Sequence, residues 1–266
     1  MNPSNDITLL VTIGIAAMLL LVAGFLLIMI LNQRKKWLLQ KEMGQLKEQQ
    51  QNLLIEGAVR SEEGERHRIA EMLHDEVGAL LSSSRIFLVE MNTQNLNEGD
   101  QQEHAKVKEM IDESIQKVRS ISHNLHSTIL KEFGLNEAIR HFMKKITGGM
   151  TISSTVELDD NYNAFNAEID LAVYRIVQEL VNNLLKHAHP RHIEIRSAFK
   201  GNELELTIQH NGSGLSQEQF EELRYKSHGL GLKNIQNRII LLKGKLLFEV
   251  NAPDESIIHL TIPIQS

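Results

Sequence analysis

ERHRIAEMLHDEVGALL, Glu65 to Leu81, places His74 beside Asp75 in the middle of a stretch with helical periodicity. At about 100° per residue, Ile69, Leu73, Val77, Leu80, Phe87 and Met91 fall on one stripe, so this helix must bury a face against other helices. His74 stands at the edge of the stripe and Asp75 points away from it, which leaves the imidazole within reach of a second domain. A neutral imidazole is a competent nucleophile near neutral pH. A carboxylate one residue on can hold its other ring nitrogen in the right tautomer and stabilise the positive charge that develops on attack. Taken alone, an exposed His-Asp pair is more often a solvated surface pair than a site. The rest of the chain decides between the two.

The chain has 266 residues, enough for one to two domains with a sizeable core. A formal net charge of -6 supplies no basic face for nucleic acid, leaving small ligands and proteins as partners. Absence of cysteine excludes disulfides, thiolate metal sites and thiol catalysis, and fits a reducing compartment.

Working toward the N-terminus, Ile7 to Leu31 carries no charge and is long enough as a helix to cross a hydrocarbon core of roughly 30 Å. Arg34, Lys35 and Lys36 follow the run and only Asp6 precedes it, the reverse of a cleaved signal peptide. The positive-inside rule then predicts a short extracytoplasmic tail over residues 1–6, a single transmembrane helix over 7–31 and a cytoplasmic remainder. So short a tail cannot bind a ligand, and input must come through the membrane, through a separate membrane or periplasmic sensing partner, or from the cytoplasmic side. Residues 32–64 read as a helical linker. Leu39, Leu46 and Leu53, with Met43 between the first two, suit either a short heptad seam or a solvated single helix.

Toward the C-terminus, Asn92 to Glu103 is a turn by composition, and Val107, Ile111, Ile115, Val118, Ile121 and Leu125 mark a second helix running up to Phe133-Gly134. The stripes of these two helices exceed what one hairpin can cover, so dimerisation into a four-helix bundle is expected. After Gly148-Gly149 the pattern alternates. Strands are predicted at Thr151–Leu158, His192–Phe199, Leu204–His210, Lys245–Val250 and Ile257–Ile262, and helices at Phe165–His187 and Leu232–Leu242. Adjacent strand pairs in mixed order indicate an α+β layer, a sheet covered by helices on one side.

Three features of this second domain belong together. QELVNNLLKHA, Gln178 to Ala188, brings Glu179, Asn183, Lys186 and His187 within two turns; an amide oxygen beside a lysine suits a hydrated magnesium ion on a polyphosphate. HNGSGL opens from a strand end at His210 into a turn bearing Gly212 and Gly214. SHGLGLKNI runs through Gly229, Leu230, Gly231 and Leu232 into a helix, where free backbone amides and the helix dipole can hold phosphate. Each glycine pair alone is an ordinary turn signal. His187, His189 and His192 have no carboxylate or cysteine at ligand spacing and are not read as a metal site. Lys226, His228 and Lys233 read as phosphate-facing or solvated rather than as a nucleic-acid patch.

In this order, the features resemble a bacterial sensor histidine kinase of the nitrate-sensor type. The dimerisation helix of that family carries ERxRIAxxLHD, matched by Glu65, Arg66, Arg68, Ile69, Ala70, Leu73, His74 and Asp75. The stretch LHSTILKEFGLNEAI, Leu125 to Ile139, resembles the end of its second helix, with Ser127 in place of the usual proline. The last domain resembles the GHKL (Bergerat) nucleotide-binding fold shared with DNA gyrase and MutL. The implied fold class is membrane-anchored α and α+β: one transmembrane helix, a dimeric four-helix-bundle phosphoacceptor domain over 65–146, and an α/β-sandwich ATP-binding domain over 150–266.

The resemblance implies ATP and Mg2+ as cofactors, with Asn183 binding magnesium, Glu179, Lys186 and His187 supporting it and the phosphates, His210, Gly212 and Gly214 at the base, and the segment Gly229 to Leu232 closing over the phosphates. It implies transfer of the γ-phosphoryl group to His74 with Asp75 as the orienting carboxylate, then passage to an aspartate on a response regulator. It also implies a homodimer, embedded in the bacterial inner membrane by one pass with its N-terminus outside and its catalytic domains cytoplasmic. Two positions depart from the family. His210 stands where an aspartate usually accepts a hydrogen bond from the adenine amine, so weaker or less adenine-selective binding is expected. Ala79 stands where a glutamine commonly places the water that dephosphorylates the partner, so phosphatase activity is expected to be weak. Two rivals are a degenerate membrane-anchored kinase acting as a nucleotide-binding scaffold and an ATPase working by conformational change.

Overall fold

The structure, a computed structural model, describes residues 3–91, 97–125, 128–149, 151–162, 166–223, 230–252 and 255–264; the side chains of 3–13, 16, 17, 23 and 230 also lie outside the described set. Met1–Leu54 and Ile55–Ser266 form two units, taken separately below.

The first unit lies in α1 (Pro3–Met72). Every side chain from Phe25 to Leu31 is apolar and exposed. Such a surface is unfavourable in water, and among the described residues this is the one helix long and apolar enough to cross a membrane.

In the second unit, the segments after Gly149 form five strands, β1 (Ser153–Glu157), β2 (His192–Lys200), β3 (Glu203–His210), β4 (Lys245–Ala252) and β5 (Glu255–Pro263). They are hydrogen-bonded in the order β1-β2-β3-β5-β4, with β1 parallel to β2 and the other pairs antiparallel. Alternation sets the two faces. Ile193, Ile195, Leu204, Leu206, Ile208, Phe248, Ile258, Leu260 and Ile262 are buried, whereas Arg196, Glu203, Glu205 and Glu249 on the other face are exposed. Helices α5 (Ala167–Asn183) and α7 (Leu230–Leu241) contribute Val173, Ile176, Val177, Leu180, Ile235 and Ile239 to the same core. The expected sheet covered on one side is therefore present. A short helix the sequence did not suggest, α6 (Gln217–Leu223), puts Phe220 against Phe248 with ring centroids 4.8 Å apart. Phe165, the predicted start of α5, lies outside the described residues, and Asn166 caps the helix by accepting the Glu168 N–H at 2.8 Å.

The helical hairpin is also present, with two departures. The end of α1 passes through a π turn, Leu73–Val77, closed by the Gly78 N–H on the Leu73 carbonyl, before α2 (Gly78–Glu90). One extra residue in a turn shifts the phase by about 100°. The single stripe predicted from Ile69 to Met91 is therefore split: Ile69 and Leu73 are half-buried, while Leu80 and Phe87 are 69% and 71% exposed. The return helix α3 (Glu98–Leu125) is pinned to α1 by Ser122, whose hydroxyl donates to the Ala70 carbonyl at 3.0 Å, and to α2 by Arg85 with Asp112 and by His104 Nε2 with the Leu88 carbonyl. Ser127 lies outside the described residues.

The second departure is α4 (Thr128–Thr147), which begins before the predicted helix end and breaks at Gly134, where φ is 80° and ψ 179°. Beyond the break, Leu135, Ala138, Ile139, Phe142 and Met143 are buried, and Phe142 meets Tyr174 of α5 edge-on at 6.2 Å.

Two buried arginines reach from the sheet domain to α1. Arg175 of α5, 4% exposed, donates to Glu63 through Nε and Nη2, to the carbonyls of Asn124 and Leu125, and to Gln178 Oε1. Arg238 of α7 donates to Glu62 Oε2 at 3.0 Å.

Gly134 has open space around it, since a Cβ there would meet nothing within 4 Å, but its dihedrals belong to a region essentially limited to glycine. Gly134→Ala is expected to cost about 1–3 kcal/mol in equilibrium denaturation, from backbone strain alone. A second expectation concerns Asp170, buried in α5 and accepting the Tyr162 hydroxyl at 2.5 Å. Burial pushes its carboxyl above the ordinary value of 3.8, against the opposing effect of the Tyr162 bond. The folded state thus favours protonated Asp170, a contribution present in acid and lost as pH rises through the folded-state value. Asp170→Asn, neutral throughout, is expected to unfold at higher denaturant than the parent near neutral pH, the difference closing below pH 3.8.

Candidate active site

His74 lies in the π turn with Asp75 next to it, and both are exposed. Among the described residues neither side chain makes a hydrogen bond, so the imidazole nitrogens are available. Arg68 and Glu65, two turns earlier, pair with each other, and the Glu65 carboxyl is held below its usual value by that bond. Ala79 is exposed on the following turn.

In the sheet domain, the last turns of α5 carry the polar residues read from the sequence. Glu179 and Asn183 are half-buried, and Asn183 Nδ2 is a buried amide nitrogen without a hydrogen-bond partner. After Asn183 the helix opens into a second π turn, Leu184–Ala188, closed by the His189 N–H on the Leu184 carbonyl at 3.1 Å. Lys186 and His187 sit in that turn and are exposed. The extra residue rotates them away from the straight-helix face on which the sequence reading set Lys186 beside Asn183.

Gly231 comes down onto this pair: a Cβ there would lie 2.1 Å from Glu179 Oε1 and 3.6 Å from Asn183 Nδ2. Gly231 and Leu232 therefore approach the Glu179-Asn183 turn at the start of α7, with Leu232 packed on the core. Gly229, Lys226 and His228 lie outside the described residues, as does the side chain of Leu230; Lys233 is exposed. A cavity of about 250 Å³ joins Glu179 and Asn182 of α5 to Glu62 and Arg66 of α1 and to Asn234 of α7.

The turn after β3 lies against the end of the second π turn. His210 is buried, and its Nδ1 accepts the Gly212 N–H at 3.3 Å, so the acceptor nitrogen that the sequence reading offered to a ligand is already used. Burial lowers the His210 pKa and keeps the ring neutral. A Cβ on Gly212 would lie 2.3 Å from the Ala188 carbonyl, which also accepts the Ser213 N–H at 2.9 Å, so this turn presses on the end of the second π turn. Asn211 Oδ1 accepts the N–H groups of Arg191 and His192. Gly214 packs on Ser256 of β5, where a Cβ would lie 2.2 Å from Oγ; that hydroxyl is buried and without a partner.

The sequence reading missed Ser256. Its signal was a serine at an inward position of an alternating strand, in phase with Ile258, Leu260 and Ile262. It also missed Arg175 and Arg238, which sit among apolar helix positions, and their glutamates at Glu62 and Glu63.

An unspent buried amide beside a carboxylate, covered by a glycine that opens a helix, fits polyphosphate oxygens and a hydrated divalent ion. Residues 168–266 match the family described as Histidine kinase-, DNA gyrase B-, and HSP90-like ATPase, and residues 65–130 match that described as Histidine kinase. Signal transduction histidine-protein kinase/phosphatase DegS of Brevibacillus brevis is 24% identical over 210 residues, 77% of this chain. The chain spans 53% of that relative's length. Among solved structures, a blue-light activated histidine kinase of Erythrobacter litoralis is 17% identical over 74% of this chain and 59% of its own, with a TM-score of 0.44. Histidine kinase AdeS of Acinetobacter baumannii is 16% identical over 74% of this chain and 98% of its own, with a TM-score of 0.40.

Gly231→Ala, which drives a methyl into Glu179, is expected to weaken nucleotide binding about tenfold, matching an overpacking cost of about 1.4 kcal/mol. Titration calorimetry measures the change, and an unaltered circular dichroism spectrum separates it from misfolding.

Proposed function

We infer, for a chain that belongs to the sensor histidine kinases of the nitrate-sensor class, that it transfers the γ-phosphoryl group of ATP to His74 and passes it to an aspartate of a response regulator. One observation carries this reading: a single chain holds an exposed histidine with both ring nitrogens unspent and a glycine-covered Glu179-Asn183 turn with an unspent buried amide. Phosphoryl transfer asks for positioning and charge neutralisation more than for covalent help. A ring nitrogen of His74 forms the bond to the γ-phosphorus, the bond to the β,γ-bridging oxygen breaks, and ADP leaves. Asp75 offers negative charge to the imidazolium and takes up the proton from its other nitrogen. Asn183 would hold Mg2+, with Glu179 beside it, and the exposed Lys186 and His187 of the π turn would offer positive charge to the phosphates from the solvent side. The ion supplies neutralisation of the charge on the phosphates.

Several features support the wider reading. Leu80, Phe87, Met91, Val107 and Met110 of the hairpin are exposed apolar side chains, which suits a homodimeric four-helix bundle. The apolar run before Arg34, Lys35 and Lys36 suits a single pass through the bacterial inner membrane, with the N-terminus outside and the catalytic domains cytoplasmic. Exposed Ala79 has no polar group to orient water on the turn after His74, consistent with weak phosphatase activity.

Incubation of the full chain with γ-labelled ATP and magnesium is expected to give an acid-labile label that His74→Gln abolishes. Absence of label despite nucleotide binding would identify a scaffold, and free phosphate without protein label an ATPase.

A further inference from the structure

The two arginines that fasten the sheet domain to α1 are not satisfied alike. Arg175 spends every donor: Nε and Nη2 on Glu63, Nη1 on the Asn124 carbonyl and on Gln178, and Nη2 again on the Leu125 carbonyl. Arg238 is as deeply buried, at 4% exposure, yet among the described residues its guanidinium makes one hydrogen bond, from Nη2 to Glu62 Oε2. A guanidinium carries five N–H donors, so those of Nε and Nη1 are left over.

Glu62 is also held by its own helix. Arg66 donates to Glu62 Oε1 through Nε at 3.0 Å and through Nη2 at 2.9 Å, so two guanidinium groups share one carboxylate and the trio carries a surplus positive charge. All three line the cavity that reaches Glu179 and Asn182 of α5 and Asn234 of α7. The Glu179-Asn183 turn therefore faces Glu62 and Arg66. Glu62 precedes His74 by twelve residues, about 18 Å along the helix at 1.5 Å per residue. To deliver phosphate to His74 the turn has to leave this place.

We propose that Arg238 reads the terminal phosphate of ATP: it exchanges the Glu62 carboxylate for that phosphate, so that ATP, and not ADP, unfastens α7 from the helix bearing His74. This rests on the reading of the domain as the phosphoryl-donor site. The exchange leaves no charge alone. Glu62 keeps both bonds from Arg66, and Arg238 gains a phosphate that can take two of its N–H groups in parallel. Arg175 has no donor to offer and stays as the second fastening. A ligand shifts a two-state equilibrium only by its difference in affinity for the two states. Here the difference has two sources. In the fastened state Arg238 is engaged, and the Glu62 carboxylate stands in the cavity as a like charge to the phosphate. In the unfastened state the arginine pairs with the nucleotide of its own domain, and the carboxylate stays with α1. ADP, one phosphate shorter, leaves Arg238 on Glu62.

The test is calorimetric titration of ATP and ADP with magnesium into the detergent-solubilised full chain carrying His74→Gln, which prevents transfer, with and without Arg238→Gln or Glu62→Gln. Arg238→Gln is expected to weaken ATP about tenfold and ADP less than about twofold, whereas a merely structural role would move both alike. Glu62→Gln keeps the shape and removes the like charge. It is expected to tighten ATP about fivefold with ADP unchanged, and gives a second readout should Arg238→Gln fail to fold. Deuterium exchange of the α1 amides around Glu62 reads the fastening itself, and is expected to quicken at least about twofold with ATP but not with ADP. Equal loss of ATP and ADP affinity in Arg238→Gln, ATP affinity not raised by Glu62→Gln, or exchange indifferent to which nucleotide is bound overturns the proposal. Labelling of His74 in the unsubstituted chain is scored separately. Label from ATP with a ratio of ATP to ADP affinity that neither substitution moves keeps the kinase reading and removes this one. The expected ratios without label keep this one and remove the kinase reading. Binding of neither nucleotide removes both.

Discussion

A guanidinium can sit in a protein interior only if its charge and its donors are met there. Arg175 meets that condition by gathering three elements: the Glu63 carboxylate of α1, the Asn124 and Leu125 carbonyls ending α3, and Gln178 of its own helix. The α3 carbonyls belong to a last turn without intrahelical donors and carry the negative end of the helix dipole, so the helix end and the arginine satisfy each other. Arg238 repeats the device from α7 on the adjacent Glu62. The two helices that frame the Glu179-Asn183 turn are thus each fastened to neighbouring residues of the helix that bears His74. Loss of either carboxylate would leave a buried cation uncompensated, a defect of about 3–5 kcal/mol.

Both chemistry-bearing helices also contain a π turn, at Leu73–Val77 around His74 and at Leu184–Ala188 around Lys186 and His187. An inserted residue gives up regular i→i+4 bonding and redirects the side chains after it. At the first turn it uncouples the face that packs within the hairpin from the face carrying Leu80 and Phe87. At the second it separates Asn183, which looks inward under Gly231, from Lys186 and His187, which look out. In each case one helix serves two directions that a straight one could not.

Most of the sheet was legible because inward and outward residues alternate along β3, β5 and the first half of β2, and α5 because its apolar positions recur at helical spacing. The glycines of both loops were legible as loop signals, and the structure brings Gly212, Gly214 and Gly231 against specific partners. What was not legible has a common cause. A π turn is a difference of one residue in hydrogen-bond register, which no pattern of residue types marks. Arg175 and Glu63 are 112 positions apart, and nothing local announces that two charges will meet. Ser256 could be read only once its strand phase was fixed, and the tautomer of His210 depends on a backbone N–H two residues on.

Gly134 inverts the usual relation between burial and mutational tolerance. Ordinarily a side chain ringed by neighbours is the one that evolution cannot replace, and an open position drifts. Here the open position is the restricted one, because a dihedral rather than a contact selects the residue. Sequence change near this break should be easy in composition and difficult in length, since moving the glycine by one place would set its dihedral under a residue with a Cβ and turn Leu135, Ile139 and Phe142 away from α5.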